Sequence, residues 1–268
     1  MTTRLLVGTE KGLFALDSED RRSWSLVDPD PAHKGWQVYA LYAAPAGELY
    51  AGLSNAFFAP HLERSGDGGR TWTPIERSPR FPEGSERELK QVWSITAGPG
   101  DGRLLAGVAH AALFESADGG ETWEWNQGLE GHPSRPDWAP GAGGLCLHTI
   151  IPDAADPKRV FIGISAVGVF RSDDGGHSWT TKNRGIGTIF DPISQEHAPD
   201  TVCCVHKVVQ DPTDPNTLYQ QNHTGVYRTH DAGDRWERIE NGLPSGFGFP
   251  IVMLPGQPRT LFVVPQEE

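Results

Sequence analysis

The chain has 268 residues and a formal charge of −12 at neutral pH, with 32 glycines, 22 prolines and nine tryptophans. The negative charge argues against a nucleic-acid partner and against binding to an anionic membrane surface. Neither a signal-peptide pattern nor an apolar run of membrane-spanning length is found, which predicts a soluble, cytoplasmic protein.

Short strand-like segments follow one another along the chain, separated by Gly, Pro and Asp. Alternating apolar and polar residues, with many aromatic and β-branched side chains, predict β strands rather than helices. In the second unit the predicted strands are Gln37–Pro45, Glu48–Ser54, Phe58–Ser65 and Thr71–Ile75. We therefore predict one all-β domain, residues 1–268, made of units of about four strands. The units are residues 1–35, 36–90, 91–144, 145–201, 202–247 and an incomplete 248–268.

An eight-residue motif recurs near the end of four of these units. It reads SGDGGRTW at 65–72, SADGGETW at 116–123, SDDGGHSW at 172–179 and, less regularly, THDAGDRW at 229–236. The final tryptophans are 51 to 57 residues apart, and such a period indicates a repeat architecture. Aspartate can close a tight turn through its side chain. We predict a structural rather than catalytic role for the four aspartates, Asp67, Asp118, Asp174 and Asp231.

This motif resembles the Asp-box, or BNR repeat, of sialidase-like β-propellers. The resemblance implies a β-propeller of four-stranded antiparallel blades with Asp-box turns, about five of them in this chain. The chain is also similar to bacterial BNR-repeat proteins, of the WD40/YVTN/BNR-like type, that are labelled glycosyl hydrolase or exo-sialidase. That similarity rests on residues 143–150, 205–208 and 220–227.

The two end units are incomplete, and two interpretations stay open. The first unit has no inner strand, and the last has no third strand or turn motif. Phe249–Leu254 could pair across the termini and complete a five-bladed ring. Alternatively, the chain is the front part of a six- or seven-bladed propeller. We favour the second interpretation, because residues 259–264 open another unit that is not finished.

Two long insertions, residues 128–144 and 183–201, join an outer strand to the next inner strand. In a propeller such loops cover the face where the central channel opens, and loops on a rigid scaffold commonly bind ligands. The alternative is that they only cap the channel. The first insertion contains Arg135, Asp137 and Trp138, and the second contains Asp191 and Glu196.

Histidines mark the inner strands of two successive units. His148 and His206 occupy equivalent positions, and His223 ends the second strand of the unit that His206 begins. Three uses are open: ligands of a divalent metal, groups that bind or protonate an organic ligand, and hydrogen-bonded core residues. The catalytic candidates are His148, His206, His223, Glu10, Asp137 and Glu196. The ligand-binding candidates are Trp93, Trp138, Arg135 and Gln221.

Three cysteines, Cys146, Cys203 and Cys204, do not make a disulfide framework, so we interpret them as buried thiols. No cofactor is predicted, and a metal held by the histidines is the alternative.

The resemblance to sialidases covers the scaffold and not the catalytic set. A sialidase also uses three arginines around the substrate carboxylate, and no matching arginine motif is present. Fold alone does not imply function. We therefore expect a propeller that binds a small polar ligand, such as a glycan, or a protein partner at the channel face. The alternative is a glycoside hydrolase that lacks the sialidase arginine triad.

Overall fold

The computed structural model describes residues 2–188 and 201–266. These residues form short β strands, one four-residue helix, α1, and one turn of 3-10 helix. The helix spans Gln127–Glu130 and the 3-10 turn spans Arg135–Asp137. The strands are β1 Thr3–Thr9, β2 Gly12–Ser18, β3 Ser25–Leu26, β4 Gln37–Ala43, β5 Leu49–Ser54, β6 His61–Ser65, β7 Thr73–Pro74, β8 Gln91–Ala97, β9 Leu104–Ala109, β10 Ala112–Ser116, β11 Glu124–Trp125, β12 Leu147–Pro152, β13 Val160–Ile164, β14 Gly168–Ser172, β15 Thr180–Thr181, β16 Val205–Asp211, β17 Asp214–Asn222, β18 Gly225–Thr229, β19 Glu237–Arg238, β20 Gly248–Leu254 and β21 Gln257–Pro265.

The strands pair with their sequence neighbours into antiparallel sheets that follow one another along the chain. Four sheets, β4–β7, β8–β11, β12–β15 and β16–β19, have four strands each. The sheet β1–β3 has three strands and the sheet β20–β21 has two. The prediction of an all-β propeller fold with about five antiparallel blades is confirmed. The pairing across the termini is not formed in the described residues, since β1–β3 and β20–β21 are separate sheets.

Apolar layers between consecutive sheets make up the core. The layer between the third and fourth sheets, for example, joins Leu113 to Ile162 and Phe170. The next layer joins Phe161 to Val208 and Trp236. Because both faces of an inner blade are covered, β9 and β13 are buried along almost their whole length. Each sheet is therefore stabilised mainly by its two neighbours, as in other repeat proteins.

Glycines in the second strands allow the blades to pack closely. A Cβ atom on Gly107 of β9 would lie 2.3 Å from the carbonyl oxygen of Leu147 in the next blade. A Cβ atom on Gly8 of β1 would lie 2.5 Å from the carbonyl oxygen of Val38. Gly52 and Gly163 occupy the same place in β5 and β13. In β17 this place is taken by Gln221, which pairs with Lys207.

The four motif aspartates lie in the turns between third and fourth strands. In the second sheet, the Ser65 hydroxyl donates to Asp67 at 2.8 Å, and the Thr71 hydroxyl donates to the same carboxylate at 2.7 Å. The amide of Gly69 donates to the Ser65 hydroxyl. In the next three turns, Asp118, Asp174 and Asp231 each accept a hydrogen bond from the backbone amide four residues on. These carboxylates are occupied with closing their own turns.

Asp118→Asn should lower the melting temperature at pH 7 by a few degrees. Hydrogen bonds from the Thr122 side chain and amide lower the pKa of Asp118 to about 2. A carboxyl with a depressed pKa stabilises the fold above its unfolded pKa of about 3.8, and this effect is lost as the pH falls towards 2. The difference in melting temperature between wild type and variant should therefore shrink at pH 3. Asp101→Asn, in an exposed turn, is the control. An equal effect of both variants would contradict the role of the carboxylate.

Candidate functional site

The inner strands begin at one end of the blades, which we call the loop face. Gln37 at the start of β4 pairs with Ser54 at the end of β5, and Val205 pairs with Asn222 in the same way. The turns between second and third strands and the long connections between sheets therefore lie at this end. The aspartate turns lie at the opposite end. At the loop face, polar and aromatic side chains from successive inner strands and connecting loops come together.

Every complete inner strand has one β-bulge close to the loop face. In each four-stranded sheet the register between first and second strands shifts near the loop face, and the bulged residues are Tyr39, Trp93, His148 and His206. Bulges redirect side chains and occur often next to functional sites. The strand β20 also has a register shift near its start, which includes Phe249. We call these residues the bulge row.

Neighbouring members of the bulge row are in contact. The rings of Tyr39 and Trp93 are 4.6 Å apart, and those of His206 and Phe249 are stacked at 4.6 Å. The Trp93 indole donates to the Gln91 side chain, and the Tyr39 hydroxyl donates to Glu10 at 3.5 Å. Trp93 and Glu10, which the sequence singles out, therefore belong to one continuous polar and aromatic surface.

His148 is held by two hydrogen bonds on the fourth sheet. Its Nε2 lies 3.0 Å from the carbonyl oxygen of Val205, and because a carbonyl only accepts, Nε2 bears the proton. Its Nδ1 lies 2.9 Å from the Thr149 hydroxyl. Burial lowers the pKa of His148 to about 4, and the nearby positive groups Lys207 and His206 act in the same direction. His148 is therefore a neutral side chain that joins two inner strands.

His206 and His223 lie together, and Cys204 completes a cluster with them. One ligand atom from each residue lies within 4.8 Å of the other two. Cys204 Sγ is 3.6 Å from His206 Nε2, and the two imidazole rings are 5.8 Å apart in a T-shaped arrangement. The backbone amide of His223 donates to the Cys204 carbonyl at 2.9 Å, which fixes the two segments to each other. All three residues are half-buried and belong to the fifth sheet and its connections.

The cluster has an apolar wall from the connection to the sixth sheet. Phe247 contacts His223 at 5.0 Å, and Phe249 stacks on His206. His206 Nδ1 donates to the Gly248 carbonyl at 2.6 Å, so in the neutral ring Nε2 has the lone pair that faces Cys204. Gln221 is buried, and its amide donates to the Gly246 carbonyl at 2.7 Å. Gln221 thus positions the backbone that orients His206.

A second feature of the loop face is an aromatic cleft in the second sheet, formed around the turn between β5 and β6. Phe57 is 89% exposed and Phe58 is 67% exposed, and Phe58 stacks on Trp36 at 5.9 Å. The Asn55 side chain accepts hydrogen bonds from the amides of both phenylalanines, so the turn presents them in a fixed arrangement. The cleft has a volume of about 550 Å³ and is also lined by Gln37, Ser54, Glu88, Lys90 and Gln91.

The insertion at residues 128–144 folds onto itself. The Arg135 guanidinium lies 4.6 Å above the Trp138 ring and donates to Glu130 and to the His110 carbonyl. Trp138 is 7% exposed. Asp137 is exposed on the 3-10 turn. Arg135 thus ties the loop to the β9–β10 turn, and Trp138 packs on Phe170 of the fourth sheet at 5.2 Å, while a ligand-binding role for them stays a prediction.

Asp191 and Glu196 lie outside the described residues. Of the cysteines, Cys146 and Cys203 are buried and Cys204 is half-buried, and none of the three forms a disulfide within the described residues. In the part of the chain that the structure describes, no helix has the length and apolarity needed to cross a membrane.

Solved structures share this arrangement of blades. A GH74 enzyme of Niastella koreensis is 19% identical with a TM-score of 0.60, over 91% of this chain and 36% of that one. The extracellular domain of a putative one-component system of B. thetaiotaomicron is 13% identical with a TM-score of 0.62, over 97% and 30%. PorZ, a surface component of the type-IX secretion system of Porphyromonas gingivalis, is 16% identical with a TM-score of 0.56, over 94% and 34%.

These similarities show a β-propeller fold, and at such low identities they show the fold alone. The chain spans about a third of the length of these structures. No protein-family model and no curated protein matches the sequence.

Proposed function

We propose that this propeller binds a neutral glycan in the aromatic cleft of the loop face. The observation that carries the proposal is the pair of exposed rings, Phe57 and Phe58, fixed by Asn55 and backed by Trp36. Sugar rings have apolar C–H faces that pack on aromatic rings, and hydroxyl groups that need polar partners. A platform that is ordered before binding loses little conformational entropy when the ligand arrives.

The polar lining of the cleft suits sugar hydroxyls. Gln37, Ser54 and Gln91 offer donors and acceptors at its edge. Glu88 and Lys90 are both exposed there and have opposite charges. The chain has a formal charge of −12, which does not attract an acidic sugar over long range. These features favour a neutral oligosaccharide over a sialoside.

The assignment to the sialidase-like BNR-repeat propellers is part of the same proposal. The spacing of the turn motif and the hydrogen bonds of Asp67, Asp118, Asp174 and Asp231 support it. The GH74 enzyme of similar fold is consistent with a glycan ligand.

The double variant Phe57→Ala/Phe58→Ala should weaken glycan binding by about 5- to 150-fold, because each stacked ring contributes roughly 0.5–1.5 kcal/mol. Binding would be measured by calorimetry with a panel of neutral oligosaccharides. Phe262→Ala, at a 54% exposed ring on β21, is the matched control and should bind as wild type does. The proposal would be wrong if no oligosaccharide bound, or if the double variant and the control bound equally.

A glycoside hydrolase is the second candidate, because carboxylates stand on the same face. Glu88 lines the cleft, and Glu10 accepts a hydrogen bond from Tyr39 in the bulge row. Hydrolysis of a glycosidic bond commonly needs two carboxyl groups, one on each side of it. Tyr39 itself is not a ready nucleophile. Burial and the charge of Glu10 raise the pKa of Tyr39 and so disfavour its phenolate form. Turnover that is lost in Glu88→Gln while binding persists would favour the enzyme.

A further inference from the structure

Three side chains that could ligate a metal lie together, away from the aromatic cleft: Cys204, His206 and His223. The cleft belongs to the second sheet, whereas the cluster belongs to the fifth. We propose that these three side chains bind a single zinc ion and leave its fourth position open to the loop face. The chemistry of the donors fits, because zinc prefers thiolate sulfur and imidazole nitrogen in tetrahedral sites.

The separation of two of the ligand atoms matches a tetrahedral site. With Zn–S at about 2.3 Å and Zn–N at about 2.1 Å, the two ligand atoms should be about 3.6 Å apart. Cys204 Sγ and His206 Nε2 are 3.6 Å apart. The ligand atom of His223 lies within 4.8 Å of both, so a small rotation of its ring completes one triangular face.

The tautomer of His206 also fits a metal ligand. Nδ1 donates to the Gly248 carbonyl, which leaves the lone pair of Nε2 directed towards Cys204. Zinc-bound histidines usually donate their other ring nitrogen to a carbonyl or carboxylate in this way. Gln221 fixes the segment that contains this carbonyl through its bond to Gly246.

The arrangement is less suited to a cysteine nucleophile activated by histidine. A nucleophile–base pair would require only Cys204 and His206, whereas a ligand atom of His223 also lies within 4.8 Å of both. Phe247 and Phe249 form an apolar wall on one side of the cluster and hold the two imidazole rings in place. Zinc binding displaces the thiol proton to solvent and leaves all three ligands in the form that the metal needs.

The test uses the full chain, stripped of metal by a chelator and titrated with Co²⁺ as a spectroscopic substitute for Zn²⁺. We expect one Co²⁺ per chain, with a thiolate-to-cobalt charge-transfer band and the strong visible bands of tetrahedral cobalt. Zn²⁺ should displace Co²⁺ and raise the melting temperature of the protein. Cys204→Ser should abolish the charge-transfer band. His223→Gln should weaken Zn²⁺ binding by about 100-fold, since even a lost outer-shell partner costs roughly 10–100-fold.

Cys146→Ser is the matched control, because Cys146 is a free thiol that lies outside the cluster. It should keep the band and the affinity of wild type. The melting temperature of each metal-free variant shows whether it is folded. The proposal would be overturned by a folded wild type without the charge-transfer band, or by equal Zn²⁺ affinity of wild type and Cys204→Ser. Rapid alkylation of Cys204 at neutral pH without metal binding would also overturn it, in favour of a nucleophilic thiol.

Discussion

Trp236→Ala should lower the free energy of unfolding by about 3–5 kcal/mol, which is the usual loss for a fully buried aromatic side chain. Trp236 is 1% exposed, and its indole donates to the Lys182 carbonyl at 2.8 Å. Its ring belongs to the apolar layer between the fourth and fifth sheets. Truncation would therefore leave a cavity and also an unpaired carbonyl. Urea unfolding at pH 7 measures the effect.

Trp72→Ala supplies the comparison within the same motif. Trp72 closes the first turn of the series, but it is only partly buried and donates to the Gly69 carbonyl of its own turn. Its replacement should cost clearly less than that of Trp236. Equal losses in the two variants would mean that the motif tryptophan acts through its turn, and not through the layer between blades.

Wild-type stability should fall by up to about 3 kcal/mol as the pH is lowered from about 6.5 to about 4, in addition to the effects of other groups. His148 has a folded pKa of about 4, whereas an unfolded histidine titrates near 6.5. In this window the unfolded chain binds the proton and the folded chain does not. The contribution of the neutral His148 to the free energy of unfolding is thus fully present above the unfolded pKa. It is lost as the pH falls, at most by about 1.4 kcal/mol per pH unit.

His148→Gln isolates this contribution. The glutamine amide can still donate to the Val205 carbonyl, but it has no proton to gain. The variant should be less stable than wild type at pH 7, and the difference should shrink by about 3 kcal/mol at pH 4. His177→Gln, at an exposed turn histidine, should leave the pH dependence unchanged. A constant difference between wild type and His148→Gln across this range would contradict the neutral, bonded imidazole.

The repeated parts of the fold could be predicted from the sequence because each has a local cause. Apolar alternation predicts the strands, and the turn motif marks where third and fourth strands meet. The ends of the strands depend on local side-chain contacts that the alternation does not reveal. The predicted third strand of the second unit begins at Phe58, but β6 begins at His61. The Asn55 side chain closes a turn over Phe57 and Phe58, and Pro60 has no amide to pair.

The candidate sites were only partly predictable. Pairing of first and second strands relates His206 to His223, and their rings are 5.8 Å apart in the structure. Equivalent strand positions placed His148 beside them, but its two nitrogens are used by Val205 and Thr149. The interpretation of Cys204 as a buried thiol follows from the lack of a disulfide framework, whereas the structure leaves it half-buried. Cys204 is held in the cluster by the hydrogen bond from the His223 amide to the Cys204 carbonyl. No sequence pattern indicates this bond.

The bulge row separates the part of each blade that maintains the fold from the part that can vary. A bulged residue is outside the regular pairing, so its side chain can change without moving the strand register. The row already contains phenol, indole and two imidazole side chains on the same backbone arrangement. Each blade therefore offers one exchangeable position at the same level around the axis. New binding chemistry could be introduced there one residue at a time. The close packing of blades at the second-strand glycines and the apolar layers between sheets would remain unchanged.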